Sequence, residues 1–109
     1  MADLSPKTWD DAVERFYADA NSIMVDRQAK YGPANVIKQG LYGICTRLAA
    51  DKVERLMKSL NGKVVSGQVV LDDIAVHEDE SFEDTLFDIA NYALIAWMLR
   101  KGYWSLPRR

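Results

Sequence analysis

The chain has 109 residues, which corresponds to a single domain and excludes large multidomain enzyme architectures. Its formal net charge of −2 supplies no general attraction to polyanions, so direct nucleic-acid binding is not expected. The single cysteine, Cys45, cannot form an internal disulfide, and no signal-peptide pattern is present, which predicts a cytoplasmic protein. The longest apolar run, residues 92–99, is far below the roughly 20 residues that cross a bilayer, so no membrane association is expected.

The first predicted helix follows Thr8, a residue type that caps helices, with Asp11 three positions later. It should end near Tyr31, because Gly32-Pro33 follows and a residue before proline disfavours helical angles. Its apolar side chains recur three and four residues apart and form one face. They are Trp9, Val13, Phe16, Tyr17, Ala20 and Met24.

The second predicted helix covers about residues 35–60 and ends at Asn61-Gly62. Its apolar positions also recur at helical spacing. They are Ile37, Leu41, Ile44, Leu48, Leu56 and Leu60. Gly40 and Gly43 lie inside this helix, where glycine is unfavourable, so they predict either a kink or close backbone packing.

An insert over about residues 63–76 separates the second helix from the third. Two valine-rich runs flank Ser66-Gly67 there, which indicates a small hairpin, with a plain loop as the alternative. The third predicted helix starts at Ser81 as N-cap and ends near Lys101, before Gly102. Residues 92–99 within it are apolar on every side, so we expect its second half to be buried all round. The fold class is therefore all-α, with three long helices.

The first half of the third helix carries a polar face that includes Asp84 and Asp88. Carboxylates four residues apart repel each other unless a cation, a proton or solvent relieves them. One interpretation is that Asp84 favours the positive helix N-terminus and that Asp88 is simply solvated. Asp88, however, lies two turns inside the helix, where dipole stabilisation has faded. We therefore predict that Asp88 is functional.

The second helix carries a charged stripe of Arg47, Asp51, Glu54 and Lys58, with Arg55 at its edge. The simpler interpretation is a solvated face with ion pairs four residues apart, such as Arg47 with Asp51 and Glu54 with Lys58. The functional interpretation is that this stripe faces the polar face of the third helix. The two interpretations differ in whether Asp51 and Glu54 face Asp84 and Asp88 across the pair of helices.

Convergence would bring together four carboxylates, a donor set that suits Mg²⁺ completed by substrate phosphates. They are Asp51, Glu54, Asp84 and Asp88. Four basic side chains would then take phosphate oxygens. They are Lys30, Arg47, Lys52 and Arg55. Tyr31 and Asn35, beside the predicted turn at Gly32, would contact a base or sugar. His77, in the polar insert, is expected to be exposed, and Cys45 to be a buried, inert thiol.

Several stretches resemble the nucleotide-modification-associated domain 1 family, which is common in phage genomes. They are Arg27-Gln28-Ala29-Lys30-Tyr31-Gly32-Pro33-Ala34-Asn35, then Gly40 and Gly43, then Arg47 with Asp51-Lys52 and Arg55-Leu56, then Glu80-Ser81, and Asp84-Thr85-Leu86-Phe87-Asp88-Ile89-Ala90-Asn91-Tyr92. The resemblance covers about residues 20–100. It extends distantly to the MazG and dimeric dUTPase group of all-α nucleoside triphosphate pyrophosphatases.

The resemblance implies a bundle completed by a homo-oligomer, a dimer or a tetramer, and located in the host cytoplasm if the chain is phage-encoded. It implies Mg²⁺ held by the four carboxylates between antiparallel helices, and cleavage of a (deoxy)nucleotide to monophosphate and pyrophosphate. Within this hypothesis, Glu54 and Asp88 are the catalytic residues, with Glu54 orienting or deprotonating the attacking water. Nucleoside binding falls to Tyr31, Asn35, Asn91 and Tyr92.

Two other hypotheses remain open for the same residues. The first is a module that binds or sequesters a nucleotide without turnover. The second is a purely structural helical oligomer whose charged stripes are only solvated.

Overall fold

The computed structural model describes residues 4–60, 63–66, 68–70 and 80–109. Its helices are α1 (Trp9–Tyr31), α2 (Ala34–Arg47), a π-helical segment (Leu48–Lys52), α3 (Val53–Leu60) and α4 (Glu80–Lys101). The segment from α2 through α3 is one long joined helix, so the described residues form three long helices. The all-α class predicted from the sequence is confirmed.

Helix α1 begins and ends at the predicted signals. The Thr8 hydroxyl accepts a hydrogen bond from the Asp11 backbone N–H at 3.0 Å, which satisfies one of the unpaired donors at the helix start. At the other end, the Gly32 N–H donates to the Gln28 carbonyl at 2.9 Å, while Gly32 itself has φ 72° and ψ 177°. That backbone region is essentially restricted to glycine, so this residue fixes where the chain leaves α1.

Helix α2 is kinked at Gly40, which has φ 69° and ψ 176° within an otherwise helical stretch. The kink predicted as one of two options is therefore present. Gly43 keeps helical geometry and packs closely, since a Cβ there would lie 3.2 Å from the Gln39 Cβ. The π-helical segment that follows α2 contains one residue more per turn than an α-helix, so it changes which residues share a face further along.

The insert forms a two-stranded hairpin, as one of the two sequence interpretations expected. Strand β1 (Lys63–Val65) pairs antiparallel with β2 (Gln68–Val70), and Val64 lies opposite Val69. Ser66 turns the chain with φ 53°. The remainder of the predicted insert, including His77, lies outside the described residues.

The core lies where α2, α4 and the C-terminal turn meet. Ile44, Ile95 and Trp104 are buried against one another there. The Trp104 indole N–H also donates to the Pro33 carbonyl at 3.2 Å, which fastens the C-terminal turn to the corner between α1 and α2. Partly buried side chains surround this cluster. They are Met24, Val36, Tyr92, Ala96, Met98 and Leu99.

The expectation that the second half of α4 is buried all round is wrong for the chain by itself. Leu94 is 40% exposed and Trp97 is 52% exposed. Helix α4 contacts α1, α2 and α3, but these helices cover only part of its surface. In α1, Phe16 stacks on Phe87 at 5.0 Å, whereas Trp9 remains largely exposed. The expectation that Cys45 is buried is also wrong, since this residue is exposed on α2.

None of the helices in the described ranges combines the length and the apolar character that a bilayer crossing requires.

Candidate functional site: a basic pocket between α1, α2 and α4

A cavity of about 360 Å³ lies where the end of α1, the length of α2 with the π-helical segment, and the middle of α4 meet. Its volume falls in the range of small-molecule sites. Its walls combine charged, amide, aromatic and aliphatic side chains. The residues that line it are Met24, Arg27, Gln28, Tyr31, Gly32, Asn35, Val36, Gln39, Ile44, Arg47, Lys52, Asp88, Asn91, Tyr92, Ile95 and Trp104.

Asp88 is the carboxylate in this wall, and two cations hold it. Its Oδ1 accepts a hydrogen bond from the Arg27 guanidinium at 2.7 Å, and its Oδ2 lies 3.3 Å from the Lys52 ammonium. The Asp88 side chain is 13% exposed and that of Lys52 is 9% exposed. Because a buried charge is costly unless it is paired, this pairing is what allows both groups to lie in the pocket wall.

The ring of Tyr92 supports two cations. The Lys52 ammonium lies 5.5 Å from the ring centroid, and the Arg47 guanidinium lies 5.8 Å from it, both within the range of cation–π attraction. Among the described residues that line the pocket, there are three cations, those of Arg27, Arg47 and Lys52, and one carboxylate, that of Asp88. The wall carries an excess of positive charge in a chain whose net charge is negative, so this pocket favours an anionic ligand.

The other wall is built by the corner between α1 and α2. Tyr31, the last residue of α1, is 67% exposed and lines the cavity together with Asn35 on the first turn of α2. Gln39 follows Asn35 by one helical turn on the same face. This wall offers an aromatic ring and amide groups rather than charges.

Asn91 lies in the pocket wall but is already engaged. It is 5% exposed, and its amide nitrogen donates to the Ala20 carbonyl at 3.0 Å. This bond ties α4 to α1. Asn91, which was predicted to contact a nucleoside, therefore also holds two helices together, a role that the sequence pattern did not indicate.

The four predicted metal carboxylates do not lie together. The Asp51 carboxylate forms an ion pair with Arg55, with Oδ1 2.9 Å from Nε, and its Oδ2 lies 3.9 Å from the Lys52 ammonium. Glu54 is exposed and pairs with Lys58 at 3.3 Å. Asp84 lines a separate hollow between α1 and α4, together with Asp19 and Glu83.

Among the described residues, no group of three or more His, Cys, Asp or Glu side chains is placed to hold a metal ion. Only Asp51 and Asp88 approach a common point, and the Lys52 ammonium lies at that point. The four carboxylates in this arrangement do not fit a shared Mg²⁺ site. The predicted ion pair of Glu54 with Lys58 is confirmed, whereas Arg47 lies over Tyr92 and Asp51 pairs with Arg55 instead.

The pocket contains seven of the residues that the sequence indicated. They are Tyr31, Asn35, Arg47, Lys52, Asp88, Asn91 and Tyr92. Two of the predicted phosphate-binding residues lie outside it: Lys30 is placed over the Tyr31 ring at 5.8 Å, and the Arg55 side chain is 63% exposed beside Asp51.

Sequence reasoning missed Arg27 and Gln39 as pocket residues. Arg27 precedes Tyr31 by four positions on α1, and Gln39 follows Asn35 by four positions on α2. Residues four apart share a helical face. The spacing of Arg27 from Tyr31, and of Gln39 from Asn35, was therefore the signal that could have identified them.

No family model matches the chain, and neither a curated protein nor a solved structure matches it.

Proposed function

We propose that this protein binds a nucleoside phosphate, preferably a deoxynucleotide, in the pocket between α1, α2 and α4. The observation that carries the proposal is that Arg47 and Lys52 both lie over the ring of Tyr92. Arg27 lines the same pocket, where it pairs with Asp88. Cations gathered in a cavity of about 360 Å³ need an anion of matching size.

The phosphates would lie against the cationic wall. Arg47 can present two N–H groups to one phosphate, and Lys52 acts there as a point charge. Asp88 offsets part of the positive charge, which keeps Arg27 and Lys52 oriented in the absence of ligand. The resemblance to a nucleotide-modification-associated family supports the same ligand class.

The nucleoside would lie against the corner between α1 and α2. The exposed ring of Tyr31 offers a surface on which a planar base can stack, and Asn35 offers an amide that hydrogen-bonds to a base or sugar. The proposed ligand therefore spans the pocket, with charge at one end and an aromatic ring at the other.

Isothermal titration calorimetry with each of the four deoxynucleoside triphosphates, in EDTA and in Mg²⁺, tests this proposal. We expect Arg47→Gln to weaken binding by about tenfold, because one charge-assisted contact is lost. Lys58→Gln is the matched control, since Lys58 lies on the same joined helix but pairs with Glu54 away from the pocket. Lack of binding of all four nucleotides, or an equal loss in both variants, would overturn the proposal.

Mg²⁺-dependent hydrolysis to monophosphate and pyrophosphate is the second candidate function. The observation that favours it is that Asp51 and Asp88 both lie within 4 Å of the same Lys52 ammonium, so their oxygens converge on one cationic position. Pyrophosphate release with Mg²⁺ measures it, and Asp88→Asn should abolish it. Asp84→Asn should keep turnover, because Asp84 lines a separate hollow, and a loss in that variant as well would contradict this assignment.

We also propose that the protein is a homo-oligomer. Large apolar side chains remain exposed on α4 and on the outer face of α2 and α3, where a second copy of the chain would cover them. They include Leu94, Trp97, Ile37, Leu41 and Met57.

A further inference from the structure

The terminal amide of Gln39 contains an unpaired acceptor in the pocket wall. Its Nε2 donates to the Asn35 carbonyl at 3.4 Å, a long hydrogen bond. Its Oε1 is buried, and across the described part of the chain it has no hydrogen-bond partner. It is the sole buried side-chain oxygen or nitrogen in those residues with this property.

A buried acceptor without a donor costs free energy, and native structures seldom retain one without a reason. Exchanging the oxygen and nitrogen of the amide does not remove the problem, because the amide oxygen would then face the Asn35 carbonyl oxygen, and both are acceptors. The present orientation is therefore the favourable one, and a bound ligand can supply the donor that the described part of the chain does not.

The position of Gln39 indicates which part of a ligand supplies this donor. Gln39 follows Asn35 by one turn on the uncharged wall, whereas Arg47 and Lys52 lie together over Tyr92 on the charged wall. Phosphates carry no donor at neutral pH and belong at the charged wall. A nucleobase, by contrast, presents N–H groups at its edge.

We propose that Gln39 is the base-reading residue of this pocket, with its Oε1 accepting a hydrogen bond from an N–H group of the bound nucleobase. This proposal rests on the proposed function. A small turn of the amide about its last side-chain torsion, which is a broad one, exposes Oε1 to the cavity without bringing it against the Asn35 carbonyl, and it gives up at most the long bond from Nε2. Gln39 thus contributes to the choice of base, while the cationic wall contributes affinity for any nucleotide.

A double-mutant cycle tests the assignment, in which Gln39 is substituted in the protein and one N–H donor is removed from the base of the ligand. Each nucleotide is paired with an analogue that lacks one base donor: purine deoxynucleoside triphosphate for dATP, the 4-unsubstituted pyrimidinone for dCTP, N3-methyl-dTTP for dTTP and N1-methyl-dGTP for dGTP. Calorimetry gives the ratio of parent to analogue affinity for the wild-type chain, for Gln39→Met and for Gln39→Glu. Thermal melting confirms that each variant is folded.

For the base that binds, we expect the wild-type chain to prefer the parent by about 5- to 20-fold, the size of one buried hydrogen bond. Gln39→Met should reduce that ratio to within about twofold, because the acceptor is gone. Gln39→Glu keeps an oxygen at this position and should keep the preference for the parent, even if its charge weakens binding of both ligands.

Equal ratios in the wild-type chain and Gln39→Met for every bound base would overturn the assignment while leaving nucleotide binding intact. Each ribonucleotide is also compared with its deoxynucleotide. If Gln39→Met changes only that preference and leaves the ratio of parent to base analogue unchanged, the donor is a sugar hydroxyl and the assignment is overturned. Lack of binding of all four parents to the wild-type chain would instead overturn the proposed function, and the assignment with it.

Discussion

Lys52 is the residue on which the charged wall depends. Its ammonium is almost fully buried and is compensated by Asp88 at 3.3 Å and by Asp51 at 3.9 Å. The ring of Tyr92 covers part of the remaining surface of the charge. A cation in such surroundings contributes little net stability, because its desolvation offsets its attraction to the carboxylates. Its burial is better explained by a task in the pocket than by the stability of the fold.

Asp88→Asn should destabilise the free protein by about 2–4 kcal/mol, because it leaves Lys52 buried without its nearest partner. Urea denaturation measures this change. The double variant Lys52→Met with Asp88→Leu removes both charges and should recover most of the lost stability.

A double variant as unstable as the sum of its two single variants would contradict this interpretation of the pair, since independent residues give additive changes. Lys58→Met with Glu54→Leu is the matched control on the same joined helix. That pair is exposed, and its loss should change the free energy of unfolding by less than about 1 kcal/mol.

At the scale of the elements, the kink at Gly40 shapes the wall that holds Asn35 and Gln39. Gly40→Ala should destabilise the protein by about 1–3 kcal/mol, because φ 69° with ψ 176° is a region that other residues rarely adopt. Nothing lies within 4 Å of the Cβ that alanine would add, so the cost is one of backbone conformation alone.

Thermal or urea unfolding checks this prediction against Gly43→Ala, which keeps helical backbone angles and adds one close contact to Gln39. We expect the smaller change in Gly43→Ala. An unchanged melting temperature in Gly40→Ala would show that α2 straightens without loss of stability.

The sequence predicted the elements well where local signals decide them. Thr8 and Gly32-Pro33 set the bounds of α1 through caps and backbone restrictions that act within a few residues. The choice between kink and close packing at Gly40 and Gly43 stayed open, because glycine permits both and only the neighbouring helices select between them.

The carboxylate stripe shows why the site was harder to predict. The faces of the second helix were assigned with a constant rotation per residue, which the π-helical segment at Leu48–Lys52 interrupts. Within this segment, Asp51 lies against Lys52 and Arg55, whereas Glu54, beyond it, pairs with the exposed Lys58. A change of helix type depends on tertiary packing, and no local residue pattern specified it.

At the scale of the whole molecule, the chain is more extended than a compact domain of its length. The Cα radius of gyration is 16.5 Å, compared with about 13 Å expected for 100 residues. The buried apolar side chains of the described residues are few: Ala20, Ile44, Ile95 and Trp104. Both facts accord with a protomer that completes its core against a second copy.

We expect the protein to elute as a homo-oligomer in size-exclusion chromatography with light scattering. Trp97→Glu should shift it toward the monomer, because this ring is 52% exposed on the apolar second half of α4, where a charge in an interface is costly. Trp9→Glu is the control for position, since Trp9 is also an exposed ring but lies on the first turn of α1 and not on α4. A wild-type monomer over the whole micromolar range would contradict the prediction.

Two of the hydrogen bonds that fasten the pocket walls join especially distant parts of the chain. Trp104 to Pro33 and Asn91 to Ala20 each span 71 positions. Contacts of such range require closure of a long loop, so they form late in folding, after the individual helices. A chain with formed helices but an undocked α4 has no pocket. A ligand that binds there therefore selects the fully docked state and stabilises the entire fold, and its concentration sets how much of the chain is docked.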